Sequence, residues 1–286
     1  MHGKCGVIIL IYKVAELAFK AVKSVLASTY KDVVVYAVDN NSGDSFKELV
    51  KDLDRVTFIQ TGDNLGFTGG NNVGIKNAIQ DECEWVLIFN PDATVEKNTI
   101  KTLIERTVEN NAQIANPKIY FADSDILWFA GKTFDLLNVL GSHRGVDEKD
   151  TGKYDTEEEL SDGTGCALLI KSEVFKKIGY LDDDYFMYYE ESDFIFRARK
   201  KGFKAMYIPS AIVYHENAKS SGVGSPLQDY FITRNRMLFA KKFLPFRTQF
   251  ALFREALRTS FKYPTRRLAL TDFLMGRLGK GSFIKD

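Results

Sequence analysis

Val33-Val34-Val35-Tyr36-Ala37-Val38-Asp39-Asn40-Asn41-Ser42-Gly43-Asp44 passes directly from an apolar run into a cluster of polar turn-formers. The run has no polar alternation, which describes a strand covered on both faces. The cluster ends the strand, and Ser42 or Asp44 offers a cap for the helix that follows. The same pattern repeats on either side. Upstream, residues 6–12 form a short apolar strand, and residues 16–26 form a helix with Leu17, Val22, Val25 and Leu26 on one side. Downstream come a strand at 55–60, a loop rich in Gly and Asn, a helix reaching residue 79, and a strand at 84–89 closed by Asn90-Pro91-Asp92. A helix at 95–110 and a strand at 113–120 complete this part. Such alternation implies an α/β fold with a mostly parallel sheet, whose ligands sit at the carboxyl ends of the strands. Each polar cluster falls at such an end.

The middle of the chain reads differently. Residues 126–145 have a hairpin-like pattern of aromatics and glycines, and the acidic, turn-rich stretch 147–162 is expected to be a mobile loop. A strand at 163–170, a short helix from Ser172 and a helix at 188–200 follow. Two short strands, 203–207 and 211–214, flank Pro209, and the chain from Leu227 onward is helical and basic. With no repeat and no linker, the expectation is one domain in two halves, 1–120 and 121–226, with a helical tail over 227–286.

The chain of 286 residues is 45% hydrophobic and 27% charged, which fits a globular protein able to bury its core without disulfides. Lys plus Arg is 39 against 38 for Asp plus Glu, so no overall field favours nucleic acid. The balance is uneven. From Arg234 onward there are thirteen Lys or Arg and three Asp or Glu, which leaves the remainder net acidic. That tail reads either as a contact for an anionic surface, such as phosphorylated lipid at a membrane, or as a solvated helical face. Cys5, Cys83 and Cys166 are too few and too scattered for a metal knuckle or a disulfide framework, and are expected to be buried and reduced. The apolar residues 7–11 are too short for a signal peptide, and no run approaches the length of a spanning helix. A cytoplasmic protein is expected, in peripheral contact at most with the inner face of the plasma membrane.

Several clusters carry chemistry. Asp39, at a strand end, can accept hydrogen bonds from a nucleobase or ribose. The stretch Asn64-Leu65-Gly66-Phe67-Thr68-Gly69-Gly70-Asn71-Asn72 reads either as a phosphate-approaching turn before a helix start or as a flexible turn. In Asn90-Pro91-Asp92, proline stops the strand and aims Asp92 at the crevice, where one carboxylate with substrate phosphates can hold Mg²⁺ or Mn²⁺. The bland reading of that tripeptide is a type I turn. Asp182-Asp183-Asp184-Tyr185-Phe186-Met187-Tyr188-Tyr189-Glu190-Glu191-Ser192-Asp193 mixes acids and aromatics densely. Aromatic faces can stack on sugar rings, and a carboxylate can take a proton from an attacking hydroxyl. On a helix Glu190 and Asp193 share a face, with Glu191 pointing elsewhere. His215 lies at another strand end and could join the metal or the diphosphate, whereas His2 and His143 have no comparable context.

Together, in order and spacing, these segments resemble the inverting family 2 glycosyltransferases of the GT-A fold, and within them the rhamnosyltransferase-like branch. The resemblance covers nearly the whole chain and extends to Arg234-Asn235-Arg236. It implies a Rossmann-like GT-A domain acting in glycan or cell-wall polysaccharide assembly. The donor would be a nucleotide sugar, dTDP-rhamnose or a UDP-hexose, and the acceptor a glycan or lipid-linked hydroxyl. Asp39 would contact the base near Asn64 and Gly66. Asn90-Pro91-Asp92 would stand in for the metal-binding D-x-D, and His215 would lie near the diphosphate, with Arg234 and Arg236 neutralising it or serving the tail. Glu191 would take the place of the catalytic base, with Glu190 and Asp193 as alternatives, because it stands where the family's Glu-Asp pair has Asp. The first strand also departs, ending Ile11-Tyr12-Lys13 where the branch commonly has Asn-Tyr-Asn. A sugar nucleotidyltransferase is the rival enzyme, but residues 11–16 lack its Gly-rich triphosphate loop. An inactive sugar-nucleotide-binding protein is the other alternative. The oligomeric state stays open between monomer and homo-oligomer.

Overall fold

A computed structural model describes residues 2–43, 46–216 and 224–284. Asp44, one of the two expected caps, lies outside them. The first half runs β1 (Cys5–Ile11), α1 (Ala15–Leu26), β2 (Val33–Asp39), α2 (Phe46–Val50), β3 (Val56–Gln60), α3 (Gly66–Gln80) and β4 (Trp85–Phe89). It continues through β5 (Ala93–Val95), α4 (Thr99–Glu109) and β6 (Ile114–Phe121). Next come β7 (Leu127–Phe129), β8 (Lys132–Asp135), β9 (Leu140–His143), β10 (Glu158–Glu159), β11 (Ala167–Lys171) and α5 (Ser172–Ile178). The last elements are α6 (Glu190–Lys200), β12 (Ala205–His215), α7 (Pro226–Phe243), α8 (Phe246–Ser260) and α9 (Pro264–Leu274).

The main sheet has the order β10-β12-β6-β11-β4-β1-β2-β3. Strands β1 to β4 pair in parallel, as do β6 and β12, while β11 runs antiparallel between β4 and β6. The fold is thus the expected GT-A arrangement, a mostly parallel sheet flanked by helices. Strand order reverses where β4 joins β1, and the crevice beyond the carboxyl ends of such strands is where open α/β sheets hold ligands. The runs that read as apolar are buried: every residue of β1 and β4 is inside. Each large side chain placed there, such as Trp85 or Phe89, contributes about 1.5–3 kcal/mol.

The Gly/Asn-rich stretch is not a loop before a helix; from Gly66 it is the helix. A Cβ on Gly70 would come within 2.3 Å of Leu10, and one on Gly74 within 2.5 Å of Ile8, so these glycines bring α3 against β1. Two other expectations change. The residues on either side of Pro209 form one strand, β12, with a register shift between Ile208 and Ile212. The acidic stretch 147–162 is not free, because partners hold it along its length. Lys118 pairs with Asp150 at 2.7 Å and with Asp155, Arg106 with Glu157 at 2.7 Å, and β10 with β12. None of its residues reaches the cavity described below.

One apolar core runs from Cys5 to Val213 across both halves of the chain, and all three cysteines are buried in it. The C-terminal helices build a second cluster, with Met237, Leu238, Phe239, Leu252 and Leu270 packed around Val139, Tyr185 and Tyr189. Among the described residues no helix is long and apolar enough to cross a membrane.

Candidate active site

The carboxyl edge of the sheet opens into a cavity of about 780 Å³. Tyr12 follows β1, Asn40 follows β2, Asn90-Pro91-Asp92 follow β4, and His215 ends β12, so four strand ends meet there. Thr164, Gly165 and Cys166 precede the antiparallel β11 and enter from the same edge. Asn64, Gly66 and Phe67 come from the start of α3. The opposite wall is the segment from Phe186 to Ser192, with Trp128, Lys132 and His143 beside it.

The loop before α3 is fixed by a reciprocal side-chain lock. Asn40 Nδ2 donates to Asn64 Oδ1 at 2.9 Å, the Leu65 amide donates to Asn40 Oδ1 at 2.9 Å, and the Gly66 amide donates to Asn64 Oδ1 at 3.0 Å. Gly66 has φ +71°, and a Cβ there would meet the ring and carbonyl of Phe186 at 2.5 Å. The glycine therefore makes room for the aromatic segment at the cavity wall.

Asp92 and His215 form a buried pair, with His215 Nε2 at 3.1 Å from Asp92 Oδ1 and 3.4 Å from the Asn90 amide nitrogen. Burial opposes charge on His215, but the adjacent Cys166 and Asp92 outweigh it and raise its pKa to about 10. Asp92 Oδ2 and His215 Nδ1 are buried with no hydrogen-bond partner among the described residues. A buried carboxylate oxygen left without a donor is costly unless something occupies it. A divalent cation fits this atom. Among the described residues no cluster of three or more candidate ligands exists, so phosphate oxygens and water would complete the shell, as is usual for Mg²⁺. Metal binding at His215 would also have to displace its proton.

Glu190 and Glu191 begin α6, and both line the cavity. Glu191 Oε1 pairs with Lys132 Nζ at 3.2 Å, while Glu191 Oε2 is buried without a partner. Glu190 is held well above the ordinary carboxylate range, by burial first and then by the charge of Glu191. Burial and like charge thus disfavour the ionised form of Glu190, while Glu191 holds the ion pair with Lys132. Lys132, only 9% exposed, also pairs with Asp162 at 2.9 Å and donates to the Gly163 carbonyl at 2.9 Å. Burial alone would lower its pKa, but Asp162 and Glu191 override that and raise it.

The remaining wall is aromatic. Trp128 stands edge-on to both His143 and His215, with ring centroids 4.7 and 4.5 Å apart. Burial, and then the charge of Lys132, lower His143 to about 4, so it is a neutral imidazole at physiological pH. His143, which had no functional context in the sequence, therefore lines the site. Lys132 and Trp128 were equally silent, because a hairpin brings them in and no motif marks them.

Four expected site residues lie elsewhere. Asp193 is fully buried away from the cavity, accepting from Tyr185 Oη at 3.1 Å and pairing with Arg197, so it does not serve as base. The Asp39 carboxylate accepts from the Ser42 amide at 3.0 Å and from the Ser42 hydroxyl, and the side chain that reaches the cavity is that of Asn40. Arg234 is fully buried and absent from the cavity wall; its Nη2 donates to the Tyr185 carbonyl at 3.0 Å. Next to it, Asn235 Nδ2 donates to the carbonyls of Tyr185, Met187 and Tyr188 at 2.9, 2.8 and 2.8 Å. Phe186, Tyr188 and Tyr189 have φ of 64°, 65° and 77°, a costly backbone for bulky residues. Arg234-Asn235 holds that strained turn in place, and with it the wall carrying Glu190 and Glu191. Arg236 points outward, donating to the Asn138 carbonyl at 2.7 Å and pairing with Glu255 at 2.8 Å.

This geometry has relatives. The low-salt glycan biosynthesis hexosyltransferase Agl10 of Haloferax volcanii is 29% identical over 245 residues, covering 83% of this chain and 76% of that protein. The dTDP-rhamnosyl transferase RfbF of Shigella flexneri is 26% identical over 216 residues, covering 73% and 71%. Among solved structures, GalNAc-T7, crystallised with UDP, GalNAc and Mn²⁺, superposes with a TM-score of 0.62 at 14% identity. That match takes in 82% of this chain but about half, 51%, of GalNAc-T7, and it speaks for the fold alone. The family described as Glycosyl transferase family 2 matches residues 6–179, more than half of the chain. The protein belongs to that family and is a glycosyltransferase.

Proposed function

We propose that the protein transfers a sugar, rhamnose or another hexose, from a dTDP- or UDP-linked donor to a hydroxyl of a glycan or lipid-linked acceptor, with inversion at the anomeric carbon. The observation that carries this reading is three buried, unpartnered carboxylate oxygens, Asp92 Oδ2, Glu190 Oε2 and Glu191 Oε2, on residues lining one cavity at the sheet's carboxyl edge. The names of the two sequence relatives, a hexosyltransferase and a dTDP-rhamnosyl transferase, support the donor class.

The nucleotide lies along Tyr12, Asn40 and Asn64, where the side-chain lock before α3 presents a rigid polar edge for base or ribose. Asp92, with His215, holds Mg²⁺ or Mn²⁺, which when bound offsets the charge gathering on the departing diphosphate. Trp128 offers an aromatic face to the sugar, and neutral His143 can donate or accept one hydrogen bond to its hydroxyls. Glu191 Oε2 takes the proton of the acceptor hydroxyl. The acceptor oxygen bonds to the anomeric carbon from the side opposite the diphosphate, as the bond from carbon to the diphosphate oxygen breaks. Lys132 orients the other oxygen of Glu191, and burial disfavours a second negative charge on Glu190 beside the base. Positioned proton transfer of this kind contributes about 10²–10⁴-fold.

Incubation with the donor and a panel of acceptors, with the product's anomeric configuration read by NMR, tests the reading. Inverted product that disappears in Glu191→Gln supports it. Retained configuration, or unchanged turnover in that variant, would remove Glu191 from its role.

A further inference from the structure

The apolar face of α8 is wider than the protein covers. Leu252, Ala256 and Ser260 are buried, where the helix packs on α7 and α9. At about 100° per residue, Phe246, Phe250, Leu257 and the capping Phe261 fall within about 60° of one another, beside that buried strip. All four are exposed, Phe246 at 76% and Phe261 at 85%. Arg254, Arg247 and Arg258 occupy the next arc of about 40° around the helix. None of the three pairs with an acid among the described residues, and Glu255, the helix's one acid, already pairs with Arg236 at 2.8 Å.

We propose that this face docks on an anionic lipid bilayer. Exposed phenylalanines in a stripe, edged by arginines with no counter-charge, match a helix lying in the plane of a membrane surface. The rings enter the acyl boundary while the guanidinium groups take lipid phosphates. The charge complementarity decides the occupant, since a row of arginines with no acid paired to it among the described residues is answered by lipid phosphates, and in an antiparallel contact between copies two such rows would repel. Docking also has a place in the proposed chemistry. Helix α7 packs on α8, and its Leu227, Gln228 and Ile232 line the cavity. The cavity wall and the proposed lipid face are thus joined through α7. This extends the basic-tail expectation to specific residues and excludes Arg234 and Arg236, which are already engaged.

The lipid contact requires no sugar transfer, so vesicle flotation of the full chain tests it independently of the transferase reading. Vesicles of phosphatidylcholine alone are compared with vesicles that also contain phosphatidylglycerol, at low and high salt. Binding is expected only on the anionic vesicles and is weakened by salt. A basic residue near an anionic surface adds about fivefold, so Arg247→Glu/Arg258→Glu is expected to lose more than about 25-fold in affinity. Phe246→Ser/Phe261→Ser is expected to lose binding while its unfolding temperature stays unchanged, since both rings are exposed. Three results would overturn the proposal. One is no flotation on anionic vesicles, and another is flotation indifferent to lipid charge and to both variants. The third is a dimer in sedimentation that the phenylalanine variant dissolves in the absence of vesicle binding.

Discussion

Replacing Lys132 by methionine keeps much of the side chain's bulk and removes one buried charge. At 2.9 Å from Asp162 and 3.2 Å from Glu191, each pairing is worth a gross attraction of about 5–6 kcal/mol at an effective dielectric near 20. Desolvation offsets part of that, and breaking such a buried arrangement costs about 3–5 kcal/mol net. The sign with pH follows from the charges left behind. Lys132 is raised above its unfolded value, so it keeps its charge at every pH below about 10, and the pH dependence of its contribution comes from the carboxylates it pairs with. In the variant, Asp162, Glu190 and Glu191 lose their counter-charge, and the native state keeps protons that the unfolded chain releases near pH 4. The destabilisation of Lys132→Met therefore grows as pH rises from about 4 and shrinks in acid. Activity should report the same shift. If Glu191 is the base, removing the cation beside it moves the acid limb of the kcat/KM profile to higher pH. Lys132→Arg, which keeps the charge, should leave the limb near its original place. Donor turnover and chemical denaturation measured from acid to alkaline pH supply both curves. An acid limb for Lys132→Met that overlays the wild type would refute the link between Lys132 and the base.

Other perturbations have equally specific outcomes. Glu191→Gln is expected to lower kcat by about 10²–10⁴-fold with nucleotide affinity retained, checked by titration calorimetry beside turnover. Asn235→Ala removes the side-chain donor from the Met187 and Tyr188 carbonyls and one of those on Tyr185, and should cost about 1–3 kcal/mol in denaturant unfolding, with kcat falling as the wall loosens. Equal stability in that variant would mean the turn holds itself. Gly66→Ala forces a Cβ against Phe186 at a positive φ and should destabilise by more than about 1 kcal/mol, read as a lower unfolding midpoint.

Much of the fold was legible because buried parallel strands are written as unbroken apolar runs, and their ends as polar clusters. That rule put Asn90, Asp92 and His215 at strand ends, but it singled out Asp39, where the side chain that reaches the cavity is that of its neighbour Asn40. It fails where tertiary contacts decide. Lys132 and His143 arrive on a hairpin whose pairing no periodicity specifies. Glu190 and Asp193 do share a spacing, but Tyr189 enters the helix with a left-handed backbone, and Arg197 and Tyr185 claim Asp193 on the inner side. The glycines of α3 suggested a ligand because close approach to a phosphate and close approach to a strand require the same absence of a side chain. Charge composition placed Arg234 in a basic tail. Its burial against the carbonyls of the 184–188 turn could be seen only once α7 was packed.

The central claim is that Asp92 and its surroundings bind a nucleotide diphosphate together with a divalent metal, and thermal unfolding with nucleotides tests it most directly. At a hundred times its dissociation constant a ligand stabilises the native state by about 2.7 kcal/mol. The expected result is stabilisation by dTDP or UDP that requires Mn²⁺ or Mg²⁺, is abolished by EDTA and is absent in Asp92→Asn. Stabilisation that persists in EDTA and in Asp92→Asn, or none with any diphosphate nucleotide, would contradict the account.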